Sequence, residues 1–309
     1  MNKLFTNLYG DMPNVFFSKN FLTWGNDLKL ITQKGEISPS NGSICLYRYM
    51  PLKRFLEIVK ENSIAFVSPY LWQDPFEFLF YHPNTKIGDS YYNVYALCFT
   101  VNSTNEEAKW QNSGCNTTNN SYLNEKNEDL IIRVKFNLRE FCKALAKDNR
   151  ERLIYVSHID YSHKKKEIVS LLNKLPKDIN KSYKSLDRYI YSMSIKRKAF
   201  TYENEIRMFV IEKDNEIKQF DKFRNVIFKV SNKSIPQITL PPKSIKQFIP
   251  DHENKVLNYK TYLKNYKETF FNEIDPLKCG LEKSIKGLKV KRSVLYNVGS
   301  DVAIDRISL

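Results

Sequence analysis

The segment Tyr202-Glu203-Asn204-Glu205-Ile206-Arg207 sets two carboxylates and a guanidinium at alternate positions. Successive side chains of a strand point to opposite faces, so Glu203, Glu205, Arg207 and Phe209 are expected on one face. Asn204, Ile206, Met208 and Val210 take the other. Paired carboxylates beside a cation can divide acid–base work or stabilise a developing positive charge. The same spacing also describes a solvent-facing strand edge with a Glu–Arg pair, worth about 0–1 kcal/mol. A second candidate is Tyr47-Arg48-Tyr49, whose planar guanidinium suits bidentate recognition of a phosphate or carboxylate. Its plain alternative is an Arg stacked on Tyr as a structural clamp. The third is the loop SPYLWQDPFE, residues 68–77, in which Asp74-Pro75 imposes a turn. Trp72 and Phe76 there are costly to expose, so they either stack on a planar ligand or plug one end of a sheet. Asp74 and Glu77 with a nearby Lys would also serve a metallonuclease.

Several other chemistries fail. The chain has nine glycines and neither a phosphate loop followed by Lys and Ser/Thr nor GxGxxG. His82, His158, His163 and His252 show no metal-ligand spacing, and no GxSxG elbow occurs. Cys45, Cys98, Cys115, Cys142 and Cys279 are scattered without a CxxC pair, so no metal site is expected. An odd cysteine count fits a reducing cytoplasm. The apolar runs fall far short of the roughly 18 residues of a membrane span. Asp11 and Pro13 interrupt any signal-peptide pattern.

The elements that would position these residues read as strands with inserted helices. CLYRY (45–49), IAFVS (64–68), VYALCFT (94–100), LIIRVKF (130–136), LIYVSHIDY (153–161), ENEIRMFVIE (203–212), NVIFKVS (225–231) and SIKQFIP (244–250) have strand composition. Pro51 opens a helix with an apolar stripe at Leu52, Phe55, Leu56 and Val59. Further helices are expected at 138–150, across KKKEIVSLLNKL and DRYIYSMSIKRKAF, and near 252–269. Residues 1–43 read as an irregular lead-in with short helical pieces, and 112–128 as a polar Asn-rich loop. The expected class is α+β with a mostly antiparallel sheet. Residues 1–250 would form the main domain, with a basic helix and strand extension over 251–309 packed on it.

The 309-residue chain carries a formal charge of +15, unevenly spread. Residues 1–130 hold 11 basic against 13 acidic side chains, and residues 131–309 hold 38 against 21. A basic half of this size attracts polyanions, RNA or DNA before membrane, or is a solvated Lys-rich surface. Candidate contacts are Lys164-Lys165-Lys166 and Lys196-Arg197-Lys198.

LYRYMPLKRFLEIVKENSIAFVSPYLWQDPFE, then ALCFT, Trp110, KRKAFTYENEIRMFV and LPPKSIKQFIP resemble, in that order, a widespread bacterial family of uncharacterised domains. The resemblance spans about residues 45–250. Gln73 departs from the family's usual Asn, and the Asn-rich loop replaces its segment after the Trp. The family looks like a divergent branch of the ADP-ribosyltransferase fold, a split antiparallel sheet, often encoded in phage-defence and toxin–antitoxin loci. The resemblance implies NAD as substrate. It implies Arg48 on the pyrophosphate, Ser68, Trp72 and Phe76 lining the nicotinamide end, and Tyr47, Asp74 and Tyr202 beside them. Glu205 would be the catalytic carboxylate, with Glu203 activating or orienting the acceptor. The charge points to RNA as acceptor, in the manner of messenger-RNA-modifying toxins of toxin–antitoxin–chaperone systems, with an antitoxin and a chaperone as partners. Two other readings stay open: a nucleic-acid-binding or nuclease effector with YENEIR structural, and a non-catalytic protein-interaction component.

Overall fold

Val, Ile, Phe and Tyr gather in short runs, and these runs pair as strands. The computed structural model describes residues 4–24, 27–32, 35–37, 44–72, 77, 81–101, 131–163, 166–168, 170, 185–240 and 276–292. Its strands are β1 (Phe5–Thr6), β2 (Val15–Ser18), β3 (Phe21–Trp24), β4 (Asp27–Thr32), β5 (Gly35–Ile37), β6 (Cys45–Pro51), β7 (Ser63–Val67), β8 (Thr85–Ile87), β9 (Ser90–Val101), β10 (Ile131–Asn137), β11 (Leu153–His158), β12 (Glu205–Asp214), β13 (Phe223–Ile227), β14 (Gln237–Leu240) and β15 (Lys289–Arg292). The helices are α1 (Leu52–Glu61), α2 (Leu138–Asp148), α3 (Leu186–Ser192) and α4 (Pro276–Ser284). The fold is mixed α/β, mostly strand and mainly antiparallel.

The chain divides into two compact units. One comprises Met1–Arg48, Leu56–Thr104 and Lys135–Ile235; the other comprises Tyr49–Phe55, Asn105–Val134 and Pro236–Leu309. In the first, the sheet runs β1-β2-β11-β12-β9-β6. β2 and β11 are parallel, and the other characterised pairings in this run are antiparallel. β12 lies between β11 and β9, with Arg207 opposite Ser157 on one side and Cys98 on the other. Along its far edge the long β9 meets β8, β7 and β6 in succession. β13 extends this edge by pairing with β7.

Both faces of the β9–β12 pair are covered, so β12 is buried continuously from Glu205 to Ile211 rather than in alternation. On one face Phe209 and Ile211 join Tyr155, Tyr189, Ile190, Met193 and Ile195. Phe99, paired with Ile206, meets Phe136 and Phe141 edge-on at 5.2 and 5.9 Å. Asn137 caps α2 by accepting a hydrogen bond from the Glu140 amide. In the second unit β14 and β15 pair in parallel, and Glu282 of α4 accepts a hydrogen bond from the Val290 amide at 3.2 Å.

Four expectations need correction. Residues 1–43 supply strands rather than short helical pieces, because Val15 and Phe17 extend the central sheet beside β11 and are fully buried. Pro51 ends β6 and the helix starts at Leu52. The stripe of α1 buries Leu52, Phe55 and Ile58, leaving Leu56 42% exposed. The helix expected across DRYIYSMSIKRKAF stops at Ser192, and a 3-10 helix begins at Lys198. The expected strand at 244–250, the helix near 252–269 and the loop 112–128 lie outside the described residues.

Candidate functional site

The site is built where a short 3-10 helix, Lys198–Glu203, runs into β12. Asn204 joins them in the left-handed region, φ 43° and ψ 59°, a conformation Asn tolerates better than branched residues. Its side chain is fixed on both ends, Nδ2 donating to the Val101 carbonyl and Oδ1 lying 3.1 Å from His158 Nε2. This reversal takes Glu203 off the strand face that the alternation rule gave it. Glu205 and Arg207 remain on that face, which is interior rather than a solvent-facing edge, being 5% and 1% exposed.

The two glutamates nevertheless converge, because Lys196 lies between them. Its Nζ sits 2.5 Å from Glu203 Oε2, 2.9 Å from Glu77 Oε1 and 3.1 Å from Glu205 Oε2. Arg207 completes the cluster: Nε donates to Glu205 Oε1 at 2.7 Å, Nη1 to the Met193 carbonyl at 2.7 Å, and Nη2 to Glu77 and Glu205. The Arg207 guanidinium lies 4.1 Å from the centre of the Trp72 ring, a cation–π contact. The Glu205 amide donates to the Tyr161 hydroxyl at 2.9 Å.

Three carboxylates therefore face two cations, and the excess negative charge falls on the most exposed of the three. Burial pushes the Glu203 carboxyl up to about 7; Lys196 opposes the rise and Glu205 adds to it. Burial also pushes Glu205 up, but Arg207 and Lys196 overcome it and hold that carboxyl well below the ordinary range. Lys196 and Arg207 are raised for the reciprocal reason, the carboxylates outweighing burial. Two carboxylates two residues apart thus differ: Glu205 is ionised, and Glu203, its side chain 29% exposed, exchanges a proton near neutrality. That separation is what acid–base chemistry at neutral pH requires.

Arg48, on β6, comes within electrostatic reach of Glu205 and donates through Nη1 to the Cys98 carbonyl at 2.6 Å. Burial lowers its pKa. Tyr47 pairs with Thr100, whose hydroxyl donates to the Glu203 carbonyl. Ser68 is fully buried and caps the turn Pro69–Leu71 by accepting from the Tyr70 amide. Trp72 offers one ring face to Arg207, and its Nε1 has no hydrogen-bond partner among the described residues. Tyr202 is half-buried, its ring 6.4 Å from that of Phe200. Asp74, Phe76, Lys164 and Lys165 lie outside the described residues. Lys166 and Lys198 are exposed, and Arg197 lies over the Phe200 ring. Lys196 is different: 8% exposed and ringed by carboxylates, it is committed to the cluster rather than to a nucleic-acid surface.

From sequence alone Glu77 reads only as a metal ligand and Lys196 as part of a basic patch. The signal that pairs them is charge placement: Glu205 and Arg207 inside an apolar strand need counter-ions from elsewhere in the chain. Among the described residues no group of three or more His, Cys, Asp or Glu is arranged to hold a metal ion. The Lys196 ammonium bridges the carboxylates instead. Among the described residues no helix is long and apolar enough to cross a membrane.

No protein-family model matches the chain, and no solved structure matches it. It is 25% identical over 186 residues to cytadherence high molecular weight protein 2 of Mycoplasmoides gallisepticum, a match covering 50% of this chain and 10% of that protein. The chain thus spans about a tenth of the length of the curated relative it matches.

Proposed function

We propose that the protein is a NAD-dependent ADP-ribosyltransferase acting on RNA, as a toxin of a phage-defence or toxin–antitoxin system, on a split-sheet ADP-ribosyltransferase fold. The observation that carries the reading is the pair Glu203 and Glu205, one near neutrality and one held ionised, at the start of a central strand. Breaking the nicotinamide–ribose bond releases neutral nicotinamide and leaves positive charge on the ribose, as in glycoside hydrolysis. Glu205 supplies the fixed negative charge that stabilises this cation. Glu203 takes the proton of the acceptor hydroxyl or amine as its oxygen or nitrogen bonds to the ribose carbon. Arg48 uses one of its five N–H donors on the Cys98 carbonyl, and the others serve the pyrophosphate. The pyrophosphate does not change charge in the reaction, so Arg48 binds rather than accelerates. An antitoxin and a chaperone are the partners this reading implies, in the cytoplasm.

The test is incubation with labelled NAD and total RNA, DNA and protein, beside Glu203→Gln and Glu205→Gln variants whose folding is checked by thermal unfolding. Label in the RNA fraction with the native protein, and none with folded variants, supports the proposal. A folded native protein freed of any antitoxin that releases no nicotinamide refutes it.

One observation favours a second reading, a nucleic-acid effector with YENEIR structural. Both Glu205 oxygens are already engaged by Arg207 and Lys196 inside the protein. Salt-sensitive RNA binding that survives Glu205→Gln and falls on neutralising Lys166 and Lys198 would select it.

A further inference from the structure

β2 and β11 run in parallel and end side by side at Ser18 and His158, where the His158 amide donates to Ser18 Oγ at 3.3 Å. Just beyond these carboxyl ends lies a cleft of about 260 Å³ whose lining includes Ser18, Lys19, His158, Asp160 and Tyr191. Crevices at the carboxyl ends of parallel strands are recurrent ligand sites, because the chain must leave the sheet there and the strand-end side chains point into the gap.

The hydrogen-bonding capacity of the cleft is specific. Asn204 Nδ2 is spent on the Val101 carbonyl, so Asn204 Oδ1 is the group facing His158, and His158 Nε2 carries the proton of that contact. Burial keeps the ring neutral, which leaves Nδ1 an acceptor with no hydrogen-bond partner among the described residues. Asp160 accepts from the Ser162 amide at Oδ1 (2.9 Å) and from the Tyr191 hydroxyl at Oδ2 (2.7 Å). His163 Nε2 also lies 3.6 Å from Oδ2; a carboxylate has about four lone-pair sites, so Oδ1 is the oxygen that keeps capacity. The Asp160 backbone is pinned by the Ser194 carbonyl and the Lys196 amide, so the carboxylate is held in place. Against these acceptors the lining sets the donors of the Ser18 and Ser162 hydroxyls, the Asn20 amide and the Lys19 ammonium. One carboxylate and one ammonium cancel, which disfavours a strongly anionic ligand. Acceptors and donors interleaved over so short a span match groups that both donate and accept, namely adjacent hydroxyls.

We propose that this cleft binds the vicinal hydroxyls of a small sugar ring, with Asp160 and His158 Nδ1 accepting from them and Ser18 donating. The volume falls just below the usual range of small-molecule pockets, which suits a ligand no larger than a monosaccharide-sized ring. The proposal does not depend on the transferase reading. The ring can belong to a free sugar or to the ribose of a nucleoside, and the probes distinguish the two.

The experiment is titration of the full chain with D-ribose, D-glucose and adenosine, followed by the ring nitrogen resonances of His158. Saturable binding that moves the His158 Nδ1 resonance is expected. Asp160→Asn should weaken it about ten- to a hundredfold, and Ser18→Ala, which removes only a hydroxyl, about two- to tenfold. Binding of adenosine and ribose without glucose assigns a ribose; binding of all three assigns sugars generally. Absence of saturable binding by the folded native protein overturns the proposal. So does binding that leaves His158 unmoved or is unchanged in folded Asp160→Asn and Ser18→Ala.

Discussion

Replacing Glu203 by Gln should remove a pH dependence that runs opposite to ordinary acid denaturation. The folded protein holds this carboxyl at about 7, against about 4.5 for an unperturbed glutamate. Between those values the folded chain keeps a proton that the unfolded chain has released, so stability falls as pH rises through the window. The contribution is fully present below about pH 4.5 and gone above about pH 7. A displacement of that size corresponds to about 3 kcal/mol, and the 29% exposure of the side chain makes this an upper figure. Glu205 works in the other direction: its depressed carboxyl adds stability above the unfolded value near 4.5 and loses it as pH falls. His82 and His158 are pushed down by burial, so they add stability as pH rises toward the unfolded value of 6.5 and nothing further above it. The diagnostic quantity is therefore the difference between native protein and Glu203→Gln, in which the histidines cancel. Urea unfolding followed by tryptophan fluorescence at pH 5 and pH 8 should show the variant gaining about 2–3 kcal/mol on the native protein across that interval. A constant difference between the two, or one that favours the native protein at pH 8, refutes the assignment of the raised carboxyl to Glu203.

Three further outcomes follow from the same cluster. Lys196→Met leaves Glu77 and Glu205 to Arg207 and strips Glu203 of its ion pair, so it should cost about 3–5 kcal/mol at pH 8, with a smaller loss at pH 5 where Glu203 is protonated; paired urea curves read both. Asn204→Val forces a branched residue to φ 43° and deletes the contacts to Val101 and His158, so a loss of about 2–4 kcal/mol is expected, with Asn204→Gly costing visibly less in calorimetry. On the transferase reading proposed above, Glu205→Gln should lower the rate of nicotinamide release from NAD by about a hundredfold or more in a protein that still unfolds cooperatively.

Much of the strand framework was legible, because β6, β7, β9, β10, β11 and β12 all lie on apolar runs the sequence displays openly. The first 43 residues were not, since Val15-Phe16-Phe17 is too short to show a period and gains its strand from pairing with β11, more than a hundred residues away. The strand alternation placed Glu205 and Arg207 on one face correctly, yet could not say that both faces of β12 are covered. Burial of the second face comes from α2 and the Phe99–Phe136–Phe141 contacts, which no local pattern encodes. The site was half legible for the same reason. Glu203-Asn204-Glu205 is visible as a motif, but the left-handed turn at Asn204 depends on hydrogen bonds of its side chain to the Val101 carbonyl and from His158. Lys196 illustrates the limit most clearly. In sequence it opens a Lys-Arg-Lys run and resembles its neighbours, whereas in the fold only Lys198 is exposed, and Lys196 pairs with Glu77, Glu203 and Glu205. A charge run reports how many cations a segment carries, not which of them the interior needs. The need is set by carboxylates that arrive from elsewhere, Glu77 lying 119 positions away in sequence. Two buried charges on an apolar strand are therefore best read as a demand for partners, and the basic residues nearest in sequence as the first candidates to meet it.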